Sequence, residues 1–306
     1  MGIKIVITPR PFASKGKDLI EMLEKKGYEV DYNRTGKRIT KEELLSKLKD
    51  ADAIITGNDQ LDKEVLSQAK KLKVISKYGV GLDNIDQEYA NKHNIKVCKA
   101  LGANTVSVAE MAILLVMASS RKLTELSNNS KLFEDIRILG NEIFGKTIGI
   151  LGLGAIGKLT AKYANTMGMH VIGYDPYVKE EELPHYIELK NFEEVVKKSD
   201  YLSIHLPLLK TTEKMINAEV FEMMKSSAVL INTARGGLVD NNSLYKALTE
   251  KQIAFAAEDI EVKERTKEIV LLRNYIVTPH AASFTSEADG NTIRISVKNV
   301  LENIEG

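Results

Sequence analysis

The sequence predicts an α/β protein of two doubly wound parallel-sheet domains. Three observations carry this. Short apolar runs alternate with helical patterns along the whole chain. A glycine-rich turn joins a strand pattern to a helix pattern in "TIGILGLGAIGKLTAKYA" at 147–164. The 306 residues suffice for about two domains at ~150 residues each. Almost half of the chain precedes the turn, so that half needs its own explanation.

The first half contributes five strand candidates: "KIVIT", "YEVDY", "AIITG", "KVISKYG" and "IKVCKA". Helical patterns lie between them, as in "KGKDLIEMLEKKG", where Leu19, Met22 and Leu23 share a face and Gly27 stops the helix. The second half contributes six more: "TIGIL", "HVIGY", "YLSIH", "AVLIN", "AFAAE" and "YIVTP". Six is the strand count of the doubly wound dinucleotide fold, whose usual order is 3-2-1-4-5-6. The helix after the glycines is expected to bury Ile156, Leu159, Tyr163, Ala164 and Met167 as one stripe. Further helices fit 241–251 and the last twenty residues, where Ile293, Val297 and Val300 fall on one side.

Composition narrows the function classes. Apolar residues make up 43% and charged residues 28%, an ordinary globular mixture. A net charge of +1 points away from nucleic acid and from a polybasic membrane surface. The apolar run "MAILLVMA" at 111–118 is far shorter than the ~20 residues that span a bilayer. It reads as a buried helix opened by Ser107 with Glu110 in a capping box. The N-terminus lacks the features of a signal peptide, and Cys98, the lone cysteine, can form no internal disulfide, so a cytoplasmic protein is expected. No cysteine or histidine pair has metal-ligand spacing, and no metal is expected.

Gly152, Gly154 and Gly157 form G-x-G-x-x-G in the required strand-to-helix context, and with Ala155 and Ile156 they make a candidate phosphate cradle. The first glycine permits the tight turn, the second lets backbone approach a pyrophosphate, and the third lets helix and strand pack closely. Phosphates would meet unpaired N–H groups at the positive helix end. Asp175 ends the next strand, 18 residues past Gly157, close to the ~20 expected for the acid that binds the adenosine ribose. Its carboxylate would repel a 2′-phosphate, which predicts NAD rather than NADP. The alternative is a turn cap before Pro176.

In such sheets ligands bind beyond the carboxyl ends of the strands. There the sequence places His205 and Pro207, then Thr233, Ala234 and Arg235, then Asp259 with Glu264, and finally His280. Arginine offers a planar fork for a carboxylate, and histidine can carry a proton near neutral pH. A carboxylate grip beside a proton shuttle and a nicotinamide implies a 2-hydroxy or 2-oxo acid. The competing readings are a core histidine at 280, a surface ion pair at Arg235, a simple strand end at His205 and a solvated charge run around Glu264, where Glu261 is a rival.

The chain resembles the D-isomer-specific 2-hydroxyacid dehydrogenase family over nearly its whole length. The resemblance is carried by "SKYGVGLDNID", "VSVAEMAI", "GKTIGILGLGAIGK", "GYDPY", "IHLPLLKTTEKMIN", "LINTARGGLVD" and "TPHAAS". It is strongest to short phosphoglycerate-dehydrogenase-like members. It implies a Rossmann NAD-binding domain, 100–286, inserted into a flavodoxin-like substrate domain, 1–99 and 287–306, with the reaction in the cleft between them. It also implies roles. Arg235 binds the substrate carboxylate and polarises the carbonyl, His280 is the acid/base, and Glu264 is its partner. Gly79, Val80 and Gly81 hold the carboxylate from the other domain. Thr233 and Ala234 line the nicotinamide, Asp259 binds its carboxamide, and His205 and Pro207 border the cofactor. A homodimer is implied, formed through 106–118 and the segment after it.

One departure stands out. The family reads Asp-Val-Phe-x-x-Glu-Pro around its acid, whereas this chain has Arg265 in place of the proline. The chain also ends without the extension of longer phosphoglycerate dehydrogenases, so amino-acid feedback is not expected. Lys77, and secondarily Arg10, could meet a second anionic group, although each also reads as an ordinary surface charge. The expected reaction is oxidation of 3-phosphoglycerate. Reduction of hydroxypyruvate or glyoxylate is the alternative, and an inactive NAD-responsive binding protein a more remote one.

Overall fold

All the apolar runs of the first half pair side by side and in one direction. In the computed structural model, which describes residues 2–132 and 134–304, they form β1 (Lys4–Ile7), β2 (Glu29–Tyr32), β3 (Ala53–Thr56), β4 (Val74–Lys77) and β5 (Lys96–Lys99). Their order is β2-β1-β3-β4-β5, every pairing parallel. This is the flavodoxin-like order. Because side chains alternate along a strand, Ile5 and Ile7 face one layer and Val6 the other. The first layer holds Phe12 and Leu23 together with Ile293, Val297 and Val300 of the helix Ser286–Ile304. That last helix is tied down by polar contacts as well: Ser76 Oγ donates to Ser296 O at 2.9 Å, and Asn299 Nδ2 to Lys99 O at 2.9 Å.

The second unit runs from Thr105 to Phe284, and the first comprises the residues up to Asn104 and those from Thr285 onward. The strands of the second unit are β6 (Thr147–Leu151), β7 (His170–Tyr174), β8 (Ile187–Leu189), β9 (Tyr201–Ile204), β10 (Val229–Asn232), β11 (Phe255–Ile260) and β12 (Tyr275–Pro279). The order is β12-β11-β10-β9-β6-β7-β8, again all parallel. A seventh strand, β8, is therefore present that the apolar pattern does not announce. Its three residues "IEL" come after a run of glutamates and are too short to show alternation. It takes the far edge of the sheet, so "YLSIH" pairs directly with the fingerprint strand β6 instead. The strand order reverses between β6 and β9, and the ends of both strands border that switch point.

Two helix expectations are corrected. The helix Thr105–Ser120 starts before Ser107, which lies buried in its first turn and does not open a capping box. The helix Ala155–Thr166 buries Gly157, Thr160, Ala161 and Ala164, while Ile156, Leu159 and Tyr163 are half-buried and Met167 is exposed. The reason is the close approach at Gly157, which leaves room only for small residues on the face toward the sheet. Among the described residues, no helix is long and apolar enough to cross a membrane.

Candidate functional site

The fingerprint turn is built around two contacts and one gap. Gly152 sits at φ 97, where an L side chain is strained, and a Cβ there would stand 2.8 Å from the His205 backbone. A Cβ on Gly157 would stand 1.9 Å from the Gly152 carbonyl oxygen, so only glycine permits this helix-to-strand packing. A Cβ on Gly154 would meet nothing within 4 Å. The first intrahelical bond is Lys158 N to Gly154 O, which leaves the amides of Ala155, Ile156 and Gly157 without a helix carbonyl. Open space thus faces a row of donors, as a pyrophosphate requires.

Asp175 comes directly after β7. Its Oδ2 accepts from Leu153 N and its Oδ1 from Tyr177 N, both at 2.9 Å. The first of these bonds fixes the carboxylate against the fingerprint turn. Each oxygen keeps a lone pair for a ribose hydroxyl. On the opposite side of β6, His205 Nε2 lies 2.9 Å from Ser203 Oγ, and burial pushes this imidazole down to about 4. That favours the neutral ring near pH 7. Pro207 is exposed, and its carbonyl accepts from Thr212 Oγ1 at 2.7 Å. Thr233 Oγ1, after β10, is buried without a hydrogen-bond partner, an orphaned polar atom that a bound carboxamide or ribose could satisfy.

The segments with Arg235, Asp259, Glu264 and His280 lie at or beyond the ends of β10, β11 and β12, three adjacent parallel strands. Arg235 is half-buried in extended backbone, and its Nη1 donates to Ala234 O at 2.8 Å. A Cβ on the next residue, Gly236, would touch the Glu264 carboxyl at 3.0 Å, so this glycine lets the carboxyl lie against the Arg235 loop. Glu264 Oε2 accepts from Glu261 N at 3.1 Å. No hydrogen bond joins it to His280 among the described residues.

His280 is half-buried at φ 52, in the left-handed region that a non-glycine residue seldom occupies. The buried Asp259 carboxylate holds it there. Oδ1 accepts from Thr278 Oγ1 at 2.5 Å and from Ala281 N at 2.7 Å, and Oδ2 accepts from Ala282 N at 2.8 Å. Donors on both sides of residue 280 thus converge on one acid, and only one carboxylate oxygen is left with capacity for a carboxamide. The residue pattern alone does not foresee this clamp, although an acid at the end of β11 next to the "TPHAAS" turn is its signal.

A buried polar network beneath the site is equally absent from the pattern. Arg265 forms a two-pronged pair with Glu258, and Asn232, Asn241 and Tyr275 complete their hydrogen bonds. The signal lies in "AAEDI", which sets Glu258 in an otherwise apolar strand.

In the first unit, Gly79 has φ 135 and its carbonyl accepts from Ala100 N at 2.9 Å. The amides of Val80 and Gly81 meet no protein acceptor among the described residues. Lys77 is buried: its Nζ donates to the Gly57 carbonyl and to Asn84 Oδ1, the latter at 2.8 Å. Among the described residues, no group of three or more metal-ligating side chains is gathered.

The clamp has a testable consequence. Asp259→Asn turns one acceptor oxygen into a donor facing a backbone N–H, and it should cost about 1–3 kcal/mol in urea unfolding. Unchanged stability would show that the carboxylate does not hold the turn.

Comparisons with known proteins identify the family. Residues 113–282 match the model of the D-isomer specific 2-hydroxyacid dehydrogenase NAD binding domain. A D-3-phosphoglycerate dehydrogenase of Methanocaldococcus jannaschii is 39% identical over 93% of this chain, which spans only 56% of that protein's length. A glyoxylate reductase of Thermococcus litoralis is 38% identical over 100% of this chain and 95% of its own. The crystal structure of D-lactate dehydrogenase with NAD+ from Lactobacillus jensenii superposes with a TM-score of 0.78 at 31% identity, covering 97% of this chain and 95% of that one. With its fingerprint turn, its two parallel sheets and relatives along its full length, this chain belongs to the D-isomer-specific 2-hydroxyacid dehydrogenase family and carries that family's NAD-binding domain.

Proposed function

We propose that this protein interconverts D-2-hydroxy acids and 2-oxo acids with NAD. The observation that carries the reading is the placement of Arg235, Glu264 and His280 beyond three adjacent strand ends, in the sheet that also holds the fingerprint turn. Gly152, Gly154, Ala155, Ile156 and Gly157 would hold the pyrophosphate, Asp175 the ribose, and Thr233, Ala234 and Asp259 the nicotinamide end. Bound NAD supplies the hydride chemistry. The chain's own residues do the rest. The Arg235 guanidinium binds the substrate carboxylate and polarises the reacting carbonyl. His280 gives the hydroxyl its proton or takes it away. Glu264 is the acid assigned as partner to that imidazole, and the free amides of Val80 and Gly81 suit a carboxylate.

The substrate reading turns on Lys77. As the cation for a phosphate it would support 3-phosphoglycerate, the activity named for the Methanocaldococcus relative. Its ammonium is instead buried and engaged by Gly57 and Asn84. Pulling it away would strip Asn84 Oδ1 of its donor and leave the Gly57 carbonyl with only the weaker bond from Asn84 Nδ2, at 3.2 Å. This favours a small unphosphorylated acid such as glyoxylate or hydroxypyruvate, in line with the name of the Thermococcus relative. Absorbance of NADH with a panel of glyoxylate, hydroxypyruvate, D-lactate and 3-phosphoglycerate tests both levels. The expected order puts glyoxylate or hydroxypyruvate first. His280→Asn, which tolerates the left-handed backbone, should lower kcat by at least ~10²-fold with NADH affinity little changed. Tight NADH binding without turnover of any acid would favour the NAD-responsive binding protein.

Asp175→Asn removes the charge that opposes a 2′-phosphate. It should narrow the preference for NADH over NADPH by at least about 10-fold in kcat/KM. Unchanged discrimination would refute the ribose role.

The assembly reading concerns 106–144. Leu114, Leu123, Leu132, Ile136 and Phe144 are all more than half exposed there, and Leu139 is 95% exposed. Phe133, in the same segment, lies outside the described residues. An apolar surface of this kind suits a second copy of the chain. Light scattering should give twice the 34.0 kDa chain mass, and Leu139→Glu should halve it. A monomeric wild type would end this reading.

A further inference from the structure

We propose that the buried Arg265–Glu258 pair is the positioning element of the active site, fixing the backbone of Arg235 on one side and of Glu264 on the other. The meaning of those two residues rests on the dehydrogenase reading above; the geometry does not.

Both side chains are 0% exposed. Burying two charges is expensive, and two apolar residues of similar volume commonly serve stability as well or better. A pair kept there calls for another reason, and its hydrogen bonds supply one. Arg265 Nε donates to Glu258 Oε2 at 2.7 Å and to the Tyr275 hydroxyl at 3.1 Å, while Nη2 donates to Glu258 Oε1. Its Nη1 donates to Asn241 Oδ1 and to the Glu264 carbonyl, the latter at 3.2 Å. Asn241 Nδ2 donates to the same carbonyl at 2.8 Å. The Glu264 backbone is thus gripped twice, once by the guanidinium and once by an amide that the guanidinium orients.

The Glu258 side reaches Arg235. Glu258 Oε1 accepts from Asn232 Nδ2 at 2.9 Å, and Nδ2 also donates to the Arg235 carbonyl at 3.0 Å. The same amide's Oδ1 accepts from Ala234 N at 3.0 Å. Asn232 therefore has both ends committed, and Glu258 sets which way its amide faces. One planar guanidinium and one carboxylate together join the end of β10, the strand β11, the turn Val262–Glu264 and Tyr275 of β12. Lysine could not replace the arginine, because a single ammonium cannot hold several acceptors in one plane. The tolerance at the site is small: the Glu264 carboxyl already stands 3.0 Å from where a Gly236 Cβ would be.

The test compares Arg265→Met, Glu258→Leu and the double variant. Each single change strands a buried charge and should destabilise. The double variant removes both charges and should regain a melting temperature near wild type. If the pair positions the site, that stable double variant still shows a KM for glyoxylate raised at least about 10-fold, with the NADH dissociation constant changed less than about 2-fold. Amide deuterium exchange should accelerate at 232–238 and 261–266 and nowhere else. A double variant with wild-type KM and wild-type exchange would overturn the proposal. Should wild type turn over no acid, the dehydrogenase reading fails, and the exchange result alone decides this one. If the double variant does not fold, Asn241→Ala leaves the ion pair intact and cuts one grip on Glu264. It should speed exchange at 261–266 and move the pH profile of kcat, and no change in either would overturn the proposal.

Discussion

The site depends on parallel pairing. Because β6, β9, β10, β11 and β12 all run the same way, every loop that leaves a carboxyl end emerges on one edge of the sheet. Residues as far apart in the chain as Gly152 and His205 become neighbours without any long-range design beyond the register of the strands. Asn232 stands opposite Glu258, and Ile260 opposite Pro279, so the loop leaving each strand begins from a fixed place. A slip of one residue would turn every side chain to the other face and undo both the apolar packing and the polar clamps.

On this frame the second unit places buried polar groups where the backbone leaves regular structure. Asp259 closes the turn around His280, and Asn232 closes the one around Arg235. Each is a buried acceptor or amide that binds neighbouring backbone, which makes a turn specific as well as stable. The left-handed backbone at residue 280 costs energy, and the three bonds to Asp259 account for its persistence. In the first unit the comparable feature is Lys77, a cation turned inward onto Gly57 and Asn84.

Much of this is legible in the residues. Eleven of the strands correspond to short β-rich apolar runs, and the first and third glycines of the fingerprint make the tight turn and the close packing their spacing implies. The features that escape do so for identifiable reasons. The strand Ile187–Leu189 is too short for periodicity to register. The helix Ala155–Thr166 turns its small residues inward because a carbonyl contact, invisible in hydropathy, sets its distance from the sheet. Arg265 sits in "EVKERTKE", where its charged neighbours suggest solvent, and only its partner in a distant strand position reveals the buried pair. Lys77 reads as a free charge from sequence because the acceptors that bind it are a backbone carbonyl and an amide, neither marked by charge.

The order in which the chain is made gives the last helix a further significance. Ile5 and Ile7 leave the ribosome nearly three hundred residues before Ile293, Val297 and Val300, which pack against them. The later unit has all its strands in hand by Pro279 and can close while the earlier one still lacks a wall. Until that helix is made, the sheet face it shares with Phe12 and Leu23 stays partly uncovered, a natural target for chaperones.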